Sequence, residues 1–327
     1  MKTTRALSLA LLPVTLLAVA CGTSEPAADD NDKPAEGQEI TLTGSDDTAV
    51  TLPAPATDVV ALEWMQVESL VALGVDPVGV ADVDGYNTWV PAAPIDADTP
   101  DVGSRNEPSP QSIARLSPDL VIADASSPES VIKKLRDQEI PVLVLSTSDA
   151  SDQLGTMREA FTSIATAVGK AEEGEQVLAD LDEEIADAAQ ELEEDGMKGA
   201  KFAIADGWQD GGNIAVRLFA KGSLMSDLAE AVGMVNAWPG KGDPEWGLQT
   251  TDPEGLTQLP ADVQFLYNSP DGEDDVFTGA LTDNPIWQGL GFVKAGDVHR
   301  LSTGVWTFGA PLSAEAFLDV LTDLYDK

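Results

Sequence analysis

Few residues in this chain can do covalent chemistry, and their scarcity narrows the possible functions. One histidine, His299, and one cysteine, Cys21, occur in 327 residues. A Ser-His-Asp or Cys-His arrangement would have to be built on His299, which sits in the strand-like run Val298-His299-Arg300-Leu301. No Gly-x-Ser-x-Gly turn, His-Glu-x-x-His pair or Walker A loop is present. A bare transition-metal centre wants clustered His or Cys, and a calcium loop wants acids at fixed spacing; neither pattern occurs. The reading is a protein without catalytic residues, resident metal or cofactor. A metal handled by such a chain arrives already chelated.

Recognition chemistry is better represented. Seven tryptophans stand against three tyrosines, and flat indoles bury large area at little rotamer cost. Arg105 lies in the run Asp101-Val102-Gly103-Ser104-Arg105-Asn106-Glu107-Pro108-Ser109-Pro110-Gln111-Ser112-Ile113, whose prolines suit a loop entering the first turn of a helix. There a guanidinium presents a rigid fork of donors at a sheet edge, where open α/β folds hold ligands. A surface ion pair with neighbouring acids accounts for Arg105 equally well. The balance of 18 basic against 57 acidic residues gives a formal charge of −39 and a pI near 4.1. Such a surface excludes nucleic acid as a partner, because phosphate binding needs clustered Lys and Arg.

The elements that must position these side chains follow from hydrophobic period. Leu154, Met157, Phe161, Ile164 and Val168 fall at helical spacing, so residues 151–169 read as one long helix, started by Asp149 and Asp152 and stopped at Gly169. On either side, short apolar runs alternate with helical segments. Before it, strands are expected at Val59–Leu62, Val78–Ala81, Leu120–Ala123 and Ile140–Leu145, with a helix from Met65 to Leu73 and a loop from Asp82 to Pro100. After it come a long acidic-faced helix over Glu172–Glu194, strands at Phe202–Ala205, Val263–Tyr267 and Val298–Leu301, an acidic turn at Asp271–Asp275 and a closing helix over Leu312–Tyr325. This grammar implies an α/β fold of two lobes with mainly parallel sheets, residues 40–150 and 170–327, joined by one helix.

The first twenty residues resemble a bacterial lipoprotein leader. Lys2 and Arg5 precede the apolar run Leu7–Leu17, and Ala18-Val19-Ala20 leads to Cys21, the expected lipid anchor. Residues 21–39, rich in Ala, Asp, Pro and Glu, read as a flexible tether. With Cys21 consumed by lipid no disulfide is possible. Nothing after residue 20 is apolar for long enough to span a bilayer. The expected location is the outer face of the cell membrane, held by lipid alone.

The runs Val59-Val60-Ala61-Leu62-Glu63-Trp64, Gly79-Val80-Ala81-Asp82, Gly103-Ser104-Arg105-Asn106-Glu107-Pro108, Asn236-Ala237-Trp238 and Val305-Trp306-Thr307-Phe308-Gly309-Ala310 resemble the iron-siderophore substrate-binding proteins of ABC importers, most of all the ferric-hydroxamate binders. The likeness extends from about Val59 to Leu324 in the same order. It implies the class III periplasmic-binding-protein fold and a receptor that captures a ferric siderophore and hands it to a permease. By that resemblance Arg105 and Trp89 contact the siderophore from the first lobe, and Trp246 and Trp306 from the second. A tyrosine of the family is replaced by Phe308, and its first-lobe tyrosine has no aromatic counterpart in Asp124-Ala125-Ser126-Ser127-Pro128. Trp64, Trp208, Trp238 and Trp287 are expected in the core. The resemblance places permease-docking acids at Glu254 and at the position of Gln111, where neutral Gln leaves Glu107, one helical turn earlier, as the substitute. The alternatives are a receptor for another bulky chelate, haem or a corrinoid, and a cell-surface hydrolase, which would need His299 in the cleft beside a nucleophile. A monomer with a stiff connecting helix and a small hinge motion is expected.

Overall fold

The computed structural model describes residues 39–269, 275–301 and 305–326. The leader, Cys21, almost all of the tether and most of the Asp271–Asp275 turn lie outside the described residues. A hairpin of β1 (Ile40–Thr43) and β2 (Ala49–Leu52) is followed by β3 (Val59–Ala61), α1 (Trp64–Ala72), β4 (Gly79–Val80) and α2 (Val83–Trp89). A small hairpin, β5 (Gly103–Ser104) and β6 (Glu107–Pro108), precedes α3 (Pro110–Arg115), β7 (Leu120–Asp124), α4 (Glu129–Arg136) and β8 (Val142–Leu145). Two helices follow in succession, α5 (Gln153–Ala167) and α6 (Ala171–Glu194). The rest comprises β9 (Lys201–Asp210), β10 (Asn213–Phe219), α7 (Leu224–Ala231), β11 (Val235–Asn236), β12 (Leu248–Thr251), a 3-10 turn over Gly255–Gln258, β13 (Gln264–Tyr267), α8 (Pro285–Gly289), α9 (Gly291–Ala295), β14 (Val298–Arg300) and α10 (Pro311–Tyr325).

The first sheet has the order β4-β3-β7-β8 and is parallel throughout. The second has the order β12-β10-β9-β13-β14, with β11 on β9 beside β10. Its β9, β11, β12, β13 and β14 run in one direction, while β10 alone runs antiparallel to its neighbours β9 and β12, so this sheet is mixed. The cause is a two-residue reversal between β9 and β10 at Gly211-Gly212, where Gly211 takes φ +59° as a tight hairpin requires. The expected strand Phe202–Ala205 is thus a ten-residue strand with an unanticipated antiparallel partner. A second correction falls on the Asp82–Pro100 loop, which contains α2. Asp82, at φ +63°, accepts a hydrogen bond from the Gly85 amide at 3.2 Å and starts a helix that the density of Pro and Asp concealed.

Strand alternation sorts the apolar residues into three cores. On β3, β7 and β8 the residues Val60, Val121 and Val142 face an outer core under α3 and α4, whereas Val59, Leu120 and Leu143 face inward. On β9 and β10, Ala203 and Val216 face the opposite outer core, and Phe202, Ile204 and Phe219 face inward. The inward sets meet in one continuous central core together with α1, α5, α6, α7 and α10. Helix α5 joins the two halves of the chain as expected and also packs against α1, α6 and α7. It starts with the Asp152 carboxylate accepting the Gly155 amide at 3.1 Å and ends in a Schellman turn, with Lys170 N–H bonded to Ala165 O and Gly169 at φ +70°.

One buried acid ties this layer together. Glu68 of α1 accepts hydrogen bonds from the Ser313 amide and hydroxyl, both at 2.7 Å, and so caps the start of α10. Burial pushes its carboxyl up to about 7, against the opposing pull of the Ser313 bonds. An acid with a folded pKa above its ordinary 4.5 keeps a proton that the unfolded chain releases. Its stabilising contribution is fully present below about pH 4.5 and is lost as pH rises towards 7. Relative to Glu68→Gln, the wild type should lose about 3 kcal/mol of unfolding free energy between pH 4.5 and 7.5. Denaturant titrations of both proteins across that range would show parallel profiles if Glu68 were not the source.

Candidate functional site

A cleft of about 470 Å³ opens where the strands of the first sheet end and the second sheet faces them. Glu63 and Trp64 follow β3 directly, Asp124 closes β7 and Thr147 follows β8, so this wall is made of carboxyl ends of parallel strands, the usual ligand edge of an open α/β sheet. The opposite wall comes from Asp206 and Arg217 on β9 and β10, from Trp246 and from the segment 306–308 ahead of α10.

Arg105 sits at the tip of the β5–β6 hairpin. Gly103 of β5, at φ +108°, lets β6 approach closely, since a Cβ there would stand 2.8 Å from the Glu107 carbonyl oxygen, and Asp101 braces the hairpin by accepting the Gly103 amide at 2.7 Å and the Val83 amide at 3.1 Å. The same acid therefore links the arginine hairpin to the helix that ends in Trp89. The Arg105 guanidinium lies 3.9 Å above the Trp64 ring and 5.6 Å from that of Trp306. Its Nη1 donates to Glu63 Oε1 at 2.7 Å. Burial raises the Glu63 carboxyl above its ordinary range, and Arg105 pulls it back in part. Glu63 also accepts the Trp64 amide at 3.0 Å and so caps α1.

The aromatic residues form a connected series across the cleft. Tyr86 meets Trp64 edge to face at 6.5 Å, Trp64 meets Trp306 at 4.9 Å, Trp306 meets Phe308 at 5.2 Å, and Phe308 meets Trp246 at 5.2 Å. Trp89 joins at Trp306 and Phe219 at Phe308. Trp246 is held by a loop in which the Asp243 carboxylate accepts the amides of Glu245, Trp246 and Leu248 at 2.7–2.9 Å. Gly247 ends that loop at φ +67°, with Gly222 and Ser223 backbone 2.5 Å from where a Cβ would stand.

The structure thus gathers Trp89, Arg105, Trp246, Trp306 and Phe308 into one cleft. Glu107, Gln111 and Glu254 lie outside it and are exposed. Glu107 is on strand β6, ahead of α3, so it is not one helical turn before Gln111, and its proposed relation to that residue is corrected accordingly. Trp238 and Trp287 are core residues, whereas Trp208 is exposed. Trp64 belongs to the core and is also the floor under Arg105. His299 on β14 faces Gln264 at 3.2 Å and the Tyr325 ring, does not line the cleft, and is shifted down by burial. The nucleophile-base pair that a hydrolase would need at His299 is therefore not in the cleft.

Sequence reasoning missed a second arginine. Arg217 of β10 stands directly opposite Asp206 of β9 and forks onto both its oxygens, with Nε at 3.0 Å from Oδ1. Its guanidinium is 5.3 Å from the Phe308 ring. Burial raises the Asp206 carboxyl, and Arg217 opposes the shift. The signal was a charge inside the alternating run Ile214-Ala215-Val216-Arg217-Leu218-Phe219, where a half-buried strand has Arg217 and Phe219 on one face.

The fold and this site define a binding protein with its ligand cleft between two sheets, and residues 59–303 match the periplasmic binding protein family, to which the chain belongs. It is 31% identical over 266 residues to the iron(3+)-hydroxamate-binding protein FhuD of Escherichia coli K12, covering 80% of this chain and 85% of that one. It is 27% identical to the Fe(3+)-citrate-binding protein YfmC of Bacillus subtilis 168, covering 98% of both. Among solved structures, the Fe3+–Desferal-bound FhuD of Vibrio cholerae superposes with a TM-score of 0.66 at 24% identity, over 82% of this chain and 97% of that one.

The aromatic series distributes load unequally. Trp306, 7% exposed and in contact with three other rings, should cost about 3–5 kcal/mol of stability when truncated to Ala. Half-buried Trp246 should cost no more than about 2 kcal/mol. Guanidinium unfolding followed by far-UV circular dichroism separates the two, and equal losses would contradict the described packing.

Proposed function

We propose that this chain is the lipid-anchored substrate-binding component of an ABC importer, capturing a ferric siderophore of hydroxamate type and delivering it to the permease. The single observation that carries the reading is the convergence of Arg105, Trp89, Trp246, Trp306 and Phe308 on one cleft. A hydroxamate chelate exposes oxygens around its iron and an apolar framework outside, which matches aromatic walls with guanidinium donors. Family membership and the 31% identical relative named for iron(3+)-hydroxamate binding support the same reading. The chain performs no covalent chemistry on its cargo.

The leader pattern of residues 1–20 supports export with Cys21 as lipid anchor and residues 21–39 as a leash. Among the described residues no helix is long and apolar enough to cross a membrane, which fits attachment through lipid. The monomer works as two lobes, 40–150 and 170–327, about the segment 151–169. The shared central core keeps their relative motion small. Glu254, with Glu107 or Gln111 across the cleft, meets the permease through the exposed rim.

Titration of intrinsic fluorescence with a ferric trihydroxamate tests the reading. Arg105→Ala should weaken binding roughly ten- to a hundredfold, the worth of a charge-assisted hydrogen bond. Unchanged affinity would remove Arg105 from the site, and quenching by haem or a corrinoid in place of the hydroxamate would change the cargo. Glu254→Lys should leave this affinity intact and abolish siderophore uptake in cells; intact uptake would rule out its docking role.

A further inference from the structure

The charges in the cleft are not those of a simple anion trap. Its lining carries two guanidinium groups, Arg105 and Arg217, and three carboxylates, Glu63, Asp124 and Asp206, with no lysine or histidine. Arg105 is paired with Glu63, and Arg217 with Asp206. Neither acid is free to swing away: Glu63 is pinned by the Trp64 amide, and Asp206 lies in register opposite its arginine. The side chains of Glu63 and Asp206 are 20% and 12% exposed, so solvent screens these pairs only weakly. Asp124 accepts hydrogen bonds from Ser126 and Thr147 and makes no ion pair among the described residues. Each arginine therefore meets a ligand already neutralised, and one carboxylate is left over.

We infer that the cleft selects its ferric chelate by charge, accepting neutral or cationic chelates and rejecting polyanionic ones, and that Glu63 and Asp206 set this selectivity by cancelling Arg105 and Arg217. The inference rests on the ferric-chelate reading above and narrows it. Iron(III) wrapped by three hydroxamates is formally neutral, and cationic if the ligand carries a pendant ammonium group; wrapped by three catecholates it is a trianion. All present a similar shell of oxygens, so donor geometry alone separates them poorly. Paired guanidiniums still direct N–H groups at a chelate oxygen. They offer no surplus positive potential to offset the desolvation of a polyanion beside three carboxylates. The acids act as a repulsive element against the wrong ligand while fixing the donors for the right one.

The test uses the purified mature protein with three probes: a neutral ferric trihydroxamate, the cationic ferric complex of desferrioxamine B, and a ferric tris-catecholate. The wild type should bind the first two at least about a hundredfold more tightly than the trianion. Glu63→Gln and Asp206→Asn should each narrow that gap by about tenfold or more, through tighter binding of the trianion. In the wild type, added salt should strengthen the weak trianion binding by screening repulsion and leave the neutral chelate unaffected. A wild-type gap under tenfold, an unchanged gap in both folded variants, or trianion binding that weakens with salt would overturn the inference. Should neither variant fold, the wild-type gap and its salt response decide alone. Failure to bind any ferric chelate would overturn the function proposed above and this selectivity with it, whereas binding of all three alike would overturn the selectivity only.

Discussion

The constraint on which the rest of the structure depends is that both sheets bury one face in the same apolar layer. Val59, Leu120 and Leu143 from one sheet and Phe202, Ile204 and Leu266 from the other belong to a single core, filled between them by α1, α5, α6, α7 and α10. A close-packed interior tolerates little sliding, because any displacement opens voids or forces overlap on both sides at once. The cleft is therefore largely formed before a ligand arrives. The cost of ordering its walls is met in folding rather than in binding.

The same layer delivers the aromatic residues. Trp64 and Tyr86 are core side chains whose rings continue, through Trp306 and Phe308, into the cleft and across to Trp246. Segment 306–308 is positioned from below by α10, whose first turn is capped by Glu68 of α1. Removing a ring from this series is thus a change to the fold as well as to the site, and binding and stability are coupled through shared atoms.

Electrostatics in the cleft has the same sign as the chain's surplus of 39 negative charges, but only by one carboxylate, because both arginines are paired with acids. The two arginines are kept where they are by acids that also serve the scaffold, Glu63 as the cap of α1 and Asp206 as a cross-strand partner. In a poorly solvated site an unpaired guanidinium or carboxylate is costly, and pairing lowers that cost while aligning donors. The positions of these charges are consequently set by folding energetics, and the ligand must accept the potential they leave.

Much of the fold could be read from one dimension. The helices α5, α6 and α10 announced themselves by apolar residues at spacings of three and four, and the buried parallel strands by short β-branched runs, since period follows from backbone geometry. Arg105 was legible as a candidate from its loop, with a surface ion pair equally open, whereas Trp89, Trp246 and Trp306 were legible as recognition residues only with the help of family resemblance, because a tryptophan in sequence looks the same in a core as in a cleft; Trp64, the fourth to line the cleft, is both. Helix α2 was hidden by Pro and Asp that favour turns locally, and β10 by its entry through two glycines. With β10 went Arg217 and its pairing to Asp206. By itself the sequence determined the periods, the caps, the scarcity of catalytic side chains and the excess of acid, all of which are local or additive properties. Only the tertiary structure decided which acid neutralises which arginine and which rings meet, because those contacts join residues far apart in the chain and depend on register and packing that no local pattern encodes.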